Sequence, residues 1–445
     1  MLIAMLFSCA EPQAREPGDS ADDTGLDSIS IPDDNIAKVL GDCDGALVDP
    51  GSYPNQLSEG AELQLYRLAE PEAVCNDGSR AGIYVRSATD EALASTWSIH
   101  VQGGGACYGY EECKARYCGS AYYDASKMSS EYLPAEVGAV GIYDADPANA
   151  YAGANQVFFY YCSSDEWAGQ GSRTLSAEGQ PTFTQFERGH VILDAGIEEL
   201  LEGVSAEGGD ELPRLSDAEL VIFSGTSAGS HGAMTHADWL QSRLEPLGIE
   251  SVAIFDAAHS PPRESFPAEY QEEYDELFEL LWSYQQEGAD YQPWVDESCA
   301  RLADEPADCG DHSYVLHNHV TTPFFVRQDL RDTTSLAEYL GIPLDSYESM
   351  TEAWLLALPD APASAVESLV FVPAVYGPNC AQHVALESTS WWREATLDAG
   401  DGTTLSFQDA VVAWRQGEAV AAVDSAVAGD EPGPRSSCAA VDGQR

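Results

Sequence analysis

Positive charge is scarce in this chain: 20 Lys and Arg stand against 75 Asp and Glu in 445 residues, a formal net charge of −55. That shortage excludes a nucleic-acid partner, because binding a phosphate backbone needs a basic surface that releases counterions. Anionic membrane surfaces repel such a chain for the same reason. The acidity reads as the solubility of a secreted or salt-exposed protein rather than as a cation-binding function. Long apolar runs are missing too, so no segment spans a bilayer, and there is no internal repeat. No Cys-x2-Cys pair occurs. A zinc site built from Cys107, Cys113, Cys118 and His100 therefore lacks the usual spacing.

Cysteine itself is plentiful. Eleven are too many for a reduced compartment unless they hold metal. The short apolar stretch 1–7 runs into Ser8-Cys9 and resembles a bacterial lipobox, in which Cys9 is lipidated and becomes the mature N-terminus. It has no basic n-region and is shorter than a usual h-region, as expected if the assigned start lies downstream of the true one. Without Cys9, ten cysteines remain, an even number that suits up to five disulfides. Residues 10–35 are rich in Asp, Glu, Pro, Ser and Gly and read as an acidic disordered tether. The division expected is a lipoprotein-type signal segment over 1–9, the tether over 10–35 and a single catalytic domain over 36–445.

Within that domain, β-rich runs at 98–102, 156–161, 219–223, 251–255, 323–327 and 369–375 alternate with helical patterns at 192–201, 232–244 and 268–285. Such alternation predicts an α/β fold, a mostly parallel sheet with helices on both faces. The run 219–223 delivers Ser227 into Gly225-Thr226-Ser227-Ala228-Gly229, a Gly-x-Ser-x-Gly turn with a helix after it. Small residues two places either side of Ser227 let the chain turn sharply and lift its hydroxyl clear of the backbone. The amide of Ala228, at the helix N-terminus, then faces the charge that develops on an attacked carbonyl.

The run 98–102 ends in Gly103-Gly104-Gly105-Ala106-Cys107. Glycines at a strand end let backbone amides approach a substrate oxygen, as in esterase oxyanion loops; a phosphate cradle would need a following Gly-Lys-Ser/Thr, which is absent. If the order nucleophile, acid, base holds, the base comes from His312, His317, His319 or His383. Asp332 and Asp329 both follow the strand at 323–327, and Asp256 follows an earlier one. Asp311, His312, His317 and His319 also form an imaginable metal cluster, though one that reads more simply as a polar loop before a strand.

Several motifs now converge on a family resemblance. Gly103 to Cys107 with Cys113, the stretch Tyr161-Cys162-Ser163-Ser164-Asp165-Glu166-Trp167-Ala168-Gly169, Gly189-His190-Val191-Ile192, Gly225 to Gly229, Thr322-Pro323-Phe324-Phe325 leading to Asp332, and Cys380-Ala381-Gln382-His383 are similar, in order, to motifs of the pectin acetylesterase and Notum family of carboxylesterases. The resemblance covers about residues 97 to 390. It implies an α/β-hydrolase-like fold and a triad of Ser227 as nucleophile, His383 as base and Asp332 as orienting acid. Amides of Gly104, Gly105 and Ala228 would form the oxyanion hole. Asp256 corresponds to a structural residue near the family's site. Cys107 and Cys113 are expected to pair, closing a short loop after the glycines. No metal or organic cofactor is implied.

The chain departs from the family at Ala106, where the family has Trp; at Val384, where a Cys is often found; and at Ala258, in place of a glycine. The first departure implies a roomier acyl or leaving-group pocket and puts pectin in doubt. The reading is an exported bacterial serine carboxylesterase, lipid-anchored at the cell envelope or secreted, a monomer, that removes O-acetyl or other short acyl groups from a polysaccharide such as pectin. Its partners would be that acylated polysaccharide or a small ester, with no nucleic acid and no membrane contact beyond the lipid anchor. A deacylase of a lipidated protein and an inactive carbohydrate-binding scaffold are the alternatives. The filled triad disfavours the last, and hydrolysis of a chromogenic acetyl ester discriminates it.

Overall fold

The computed structural model describes residues 30–41, 43, 58–119, 125–258, 260–286, 293–332, 340–360, 371–398, 404–424 and 438. Cys9 and most of the tether lie outside them. Residues 30–35, at the end of the expected tether, are among those described. Asn35 is buried, caps α1 (Ile36–Leu40) through the Ala37 amide and bridges Thr184.

Among the described residues, ten strands form one sheet: β1 (Ser58–Arg67), β2 (Gly82–Arg86), β3 (Thr96–Val101), β4 (Glu136–Gly138), β5 (Asn155–Phe159), then β8 (Leu220–Thr226), β9 (Glu250–Asp256), β10 (Phe324–Arg327), β11 (Ala374–Gly377) and β14 (Ala421–Val423). Two small hairpins stand apart, β6 (Gly171–Leu175) with β7 (Phe183–Glu187), and β12 (Thr396–Asp398) with β13 (Thr404–Ser406). The order across the large sheet is β14-β11-β10-β9-β8-β3-β5-β2-β1-β4. From β14 to β5 every neighbouring pair is parallel; β2, β1 and β4 add an antiparallel edge. The parallel strands other than β14 are buried along almost their whole length, as expected of a parallel sheet covered on both faces.

The helices used below are α2 (Tyr110–Cys118), α3 (Gly189–Glu202), α4 (Ala228–Leu244), α5 (Ala268–Gln286), α6 (Glu297–Leu302) and α7 (His312–Asn318). The expected helices fall inside α3, α4 and α5, and five of the six expected strands coincide with β3, β5, β8, β9 and β10 to within three residues at either end. The sixth starts later than expected. Pro373 has no amide to give the ladder, so pairing begins at Ala374. Leu369 and Val370 of that run lie outside the described residues, and Val372 is exposed.

Five disulfides staple the molecule: Cys43–Cys118, Cys75–Cys162, Cys107–Cys113, Cys299–Cys309 and Cys380–Cys438. Cys107, Cys113 and Cys118 are therefore spent on sulfur and are not zinc ligands. The tip of β8, where it passes into α4, sits between β3 and β9 near the middle of the sheet, where parallel α/β sheets open a crevice at their C-terminal ends.

Candidate active site

Ser227 occupies the turn between β8 and α4 with φ 52° and ψ −127°, a conformation costly for a residue with a Cβ. Its neighbours enforce it. A Cβ on Gly225 would stand 2.1 Å from the Gly229 carbonyl oxygen, and one on Gly229 would stand 2.1 Å from that of Val101, so neither position tolerates a side chain. The Ser227 amide donates to the Asp256 carbonyl at 2.9 Å, tying the turn to β9.

His383 lies on the loop after β11, and its Nε2 is 2.8 Å from Ser227 Oγ. Its Nδ1 is 2.9 and 3.0 Å from the two oxygens of Asp332. A carboxylate only accepts, so Nδ1 carries the proton and Nε2 turns a lone pair to the serine hydroxyl. Asp332 is buried and accepts a further bond from Gln328 Nε2 at 3.0 Å. Of the histidines considered, only His383 reaches Ser227. His317 bonds the Trp354 indole, His319 bonds Ser298 Oγ at 2.8 Å, and His312 packs against His231, so the imagined cluster of these three with Asp311 does not assemble. Asp311 instead caps α7.

Asp329 and Asp256, the competing acids, face another residue altogether. Arg327, buried at the end of β10, donates to Asp256 at 2.9 Å and pairs with Asp329 at 2.8 Å. Both carboxylates then grip the His383 loop. Asp329 accepts from the Gln382 amide at 2.7 Å, and Asp256 accepts from the Ala385 and Leu386 amides at 2.8 Å each. Burial pushes Asp329 up to about 7 against the pull of Arg327, with the charges of Asp332 and Asp256 adding to the rise. Sequence reasoning missed Arg327, although an Arg ending the apolar run Phe324-Phe325-Val326 was the available signal: a charge that enters a core needs partners there.

The glycine loop after β3 is built from several sides. Gly103 is sterically obligatory, since a Cβ would lie 2.4 Å from the Thr226 carbonyl oxygen. Gly104 and Gly105 have φ 147° and 59°. Arg116 of α2 donates to the Gly104 carbonyl at 2.6 Å; across a trans peptide the Gly105 N–H must point the opposite way. Among the described residues nothing accepts from the amides of Gly104, Gly105 or Ala228. The Cys107–Cys113 disulfide ties the loop to α2, and Arg173 donates to the Cys107 carbonyl at 2.8 Å.

The stretch from Tyr161 to Gly169 supports that loop from beneath. Asp165, buried, accepts from Ser163 Oγ and from the amides of Trp167, Gly169 and Gly189 at 2.6 to 3.0 Å. Trp167 donates through its indole to the Gln102 carbonyl at 3.0 Å and packs so close to α4 that only glycine fits at position 232. His100 is a core residue, 2.9 Å from Ser224 Oγ and 3.1 Å from Glu387. Burial works to raise the Glu387 carboxyl, but the hydrogen bonds and charge of His100, with the Thr226 hydroxyl, outweigh it and hold it below its ordinary range.

Comparison with known proteins follows the same outline. The profile of the pectinacetylesterase family matches residues 56–432. The palmitoleoyl-protein carboxylesterase NOTUM of Homo sapiens is 27% identical over 404 residues, covering 86% of this chain and 72% of that protein. Its counterpart in Drosophila melanogaster is 27% identical over 337 residues, 74% of this chain and 46% of the relative. A solved structure of the Wnt deacylase Notum from Drosophila superposes with a TM-score of 0.61 at 23% identity, covering 82% of this chain and 96% of that one. The shared fold is α/β-hydrolase-like.

Proposed function

This chain belongs to the pectinacetylesterase family and is a carboxylic ester hydrolase, and from that premise we propose that Ser227, His383 and Asp332 are its catalytic triad, with the amides of Gly104, Gly105 and Ala228 as its oxyanion hole. The observation that carries the reading is the unbroken relay from Ser227 Oγ to His383 Nε2 at 2.8 Å and from His383 Nδ1 to Asp332 at 2.9 Å. In the reaction, Ser227 Oγ attacks the ester carbonyl while Nε2 takes its proton, and Asp332 holds the imidazole in the needed tautomer. The carbonyl oxygen gains negative charge and accepts from the three amides. Nε2 then returns the proton to the departing alcohol, and water, activated the same way, releases the acid from the acyl-serine.

The substrate is an acylated molecule, and we assign it to O-acetyl or other short acyl groups on a carbohydrate. A net charge of −55 disfavours polyanionic pectin itself and favours a neutral polysaccharide or a small ester. A second reading rests on Ala106. It is half-buried beside Gly105, where a Trp would add roughly 150–250 Å² of aromatic wall, and the loss of that wall is what favours acyl groups longer than acetyl. The relatives named above carry the name palmitoleoyl-protein carboxylesterase, and a lipidated protein is the corresponding alternative. Export is supported by the five disulfides, which persist in oxidising compartments. Anchoring of a bacterial protein through Cys9 is part of the same proposal.

The test is turnover of chromogenic esters of increasing acyl length by the natural protein, Ser227→Ala and Ala106→Trp. Ser227→Ala is expected to lose about 10³-fold or more of kcat while staying folded. Unchanged turnover in that variant ends the reading. An acetyl preference that Ala106→Trp does not alter removes the roomy pocket.

A further inference from the structure

A cluster of donor atoms that the triad does not use lies one helical turn beyond Ser227. Glu166 sits in the turn after β5 with φ 55°, His231 is in the first turn of α4, and His312 opens α7. One ligand atom from each lies within 4.8 Å of the other two. His231 Nε2 is 3.1 Å from the Ala258 carbonyl, which can only accept, so Nε2 carries the ring proton. That leaves His231 Nδ1 buried, without a hydrogen-bond partner, and 3.3 Å from Glu166 Oε1. Two such atoms stay that close only with a positive charge between them, either a second ring proton on Nδ1 or a metal ion. The His312 ring stacks on His231 at 3.9 Å, adding a second imidazole to the same spot.

We propose that Glu166, His231 and His312 form a binding site for a divalent cation of the zinc class. One carboxylate and two imidazoles are a donor set that zinc takes, with a fourth position left for water or another oxygen ligand. The bond from His231 Nε2–H to the Ala258 carbonyl is the outer-sphere contact that fixes a metal-binding histidine in its tautomer. A tetrahedral ion with bonds of about 2.0–2.1 Å needs ligand atoms roughly 3.4 Å apart. Binding therefore requires His312 to rotate out of the stack about its side chain, which would draw the three atoms together. The strongly acidic surface raises the local concentration of cations around such a site. The ion joins three segments distant in sequence: the loop that supports the oxyanion glycines, the helix that carries the nucleophile, and α7. This goes beyond the ester-hydrolase reading and does not depend on it.

The experiment strips the full-length protein with a chelator, dialyses it, and titrates it with Co²⁺ and then Zn²⁺. The expected result is one equivalent of Co²⁺ bound, with the intense visible absorption of a four-coordinate ion, and its displacement by Zn²⁺. Zinc at about a hundredfold excess over Kd should raise the melting temperature by about 3 °C. Glu166→Gln and His312→Ala should each weaken binding at least tenfold, while His319→Ala, outside the cluster, should bind as the natural protein does. The cobalt spectrum of the natural protein tests the site even where a variant fails to fold. Absence of that absorption, or equal binding by Glu166→Gln and His312→Ala, overturns the proposal and leaves a proton between Glu166 and His231.

Discussion

Three acids crowd the base of the site, and single residues tell them apart. Asp332 contacts the imidazole, whereas Asp329 and Asp256 hold the backbone that carries it. Asp332→Asn keeps the shape but favours the wrong tautomer, and is expected to lower kcat by about 10⁴. Asp329→Asn, which still accepts from the Gln382 amide, should cost less than about tenfold. The two kcat values, measured on one ester, decide which acid belongs to the triad; the reverse order would move the role to Asp329. Arg327 is a positioning residue on this account. Arg327→Met leaves two carboxylates buried without their cation and should destabilise the fold by about 3–5 kcal/mol. Arg327→Lys keeps the charge but loses the planar fork that spans both acids. Its kcat should fall with KM little changed, because the loop bearing His383 loosens while the substrate-binding surface stays. A KM change with constant kcat would contradict that role.

Between elements, the contact of α3 with α4 carries its own pH dependence. His190 Nδ1 is 2.9 Å from His236 Nε2, His236 Nδ1 is 2.8 Å from the Gly232 carbonyl, and Trp294 stacks on His190 at 4.0 Å. The carbonyl only accepts, so His236 Nδ1 is protonated and its Nε2 accepts from His190. Burial depresses both rings, His236 to about 4 and His190 to about 2, with His236 and the Arg243 guanidinium adding to the effect on His190. In the unfolded chain both take protons near pH 6.5. Stability from their neutral state is therefore present above that pH and is lost as pH falls from about 6.5 towards 4. By pH 4.5 the loss from His236 alone amounts to about 2–3 kcal/mol. Denaturant midpoints at pH 7 and 4.5 should show His236→Gln losing less to acid than the natural protein, and equal losses would refute the assignment. The elements around the site were legible in the sequence where one segment decides the outcome. β8, the elbow and α4 follow from apolar runs and small residues inside a dozen positions. The antiparallel edge of β1, β2 and β4 was not: Leu63 and Leu65 of β1 do alternate with more exposed neighbours, but β4 is only three residues long, and the pairing of the three strands is settled by partners as far as tens of residues away.

For the whole molecule, the excess of acid acts as a long-range field. At low ionic strength the Debye length reaches about 30 Å, and a polyanion is held off; near 0.15 M it shrinks to about 8 Å. KM for acetylated polygalacturonate should therefore fall several-fold as salt rises from about 0.01 to 0.15 M, while KM for neutral acetylated xylan stays within about twofold. Equal salt dependence of the two would show that the surface charge plays no part in substrate choice. By itself the sequence determined the α/β class, the family, the strained serine turn, the glycine loop and the candidate pairing of Cys107 with Cys113, because each is written in a short contiguous run whose residue types leave the backbone few choices. It left the base and the acid open among several histidines and aspartates on spacing alone. Only the tertiary structure brings His383 to Ser227, turns Asp329 and Asp256 towards Arg327, and gathers Glu166, His231 and His312. The reason is that these meetings depend on the order of β8, β9, β10 and β11 in the sheet and on how a buried cation divides itself among acids, neither of which is encoded in neighbouring residues.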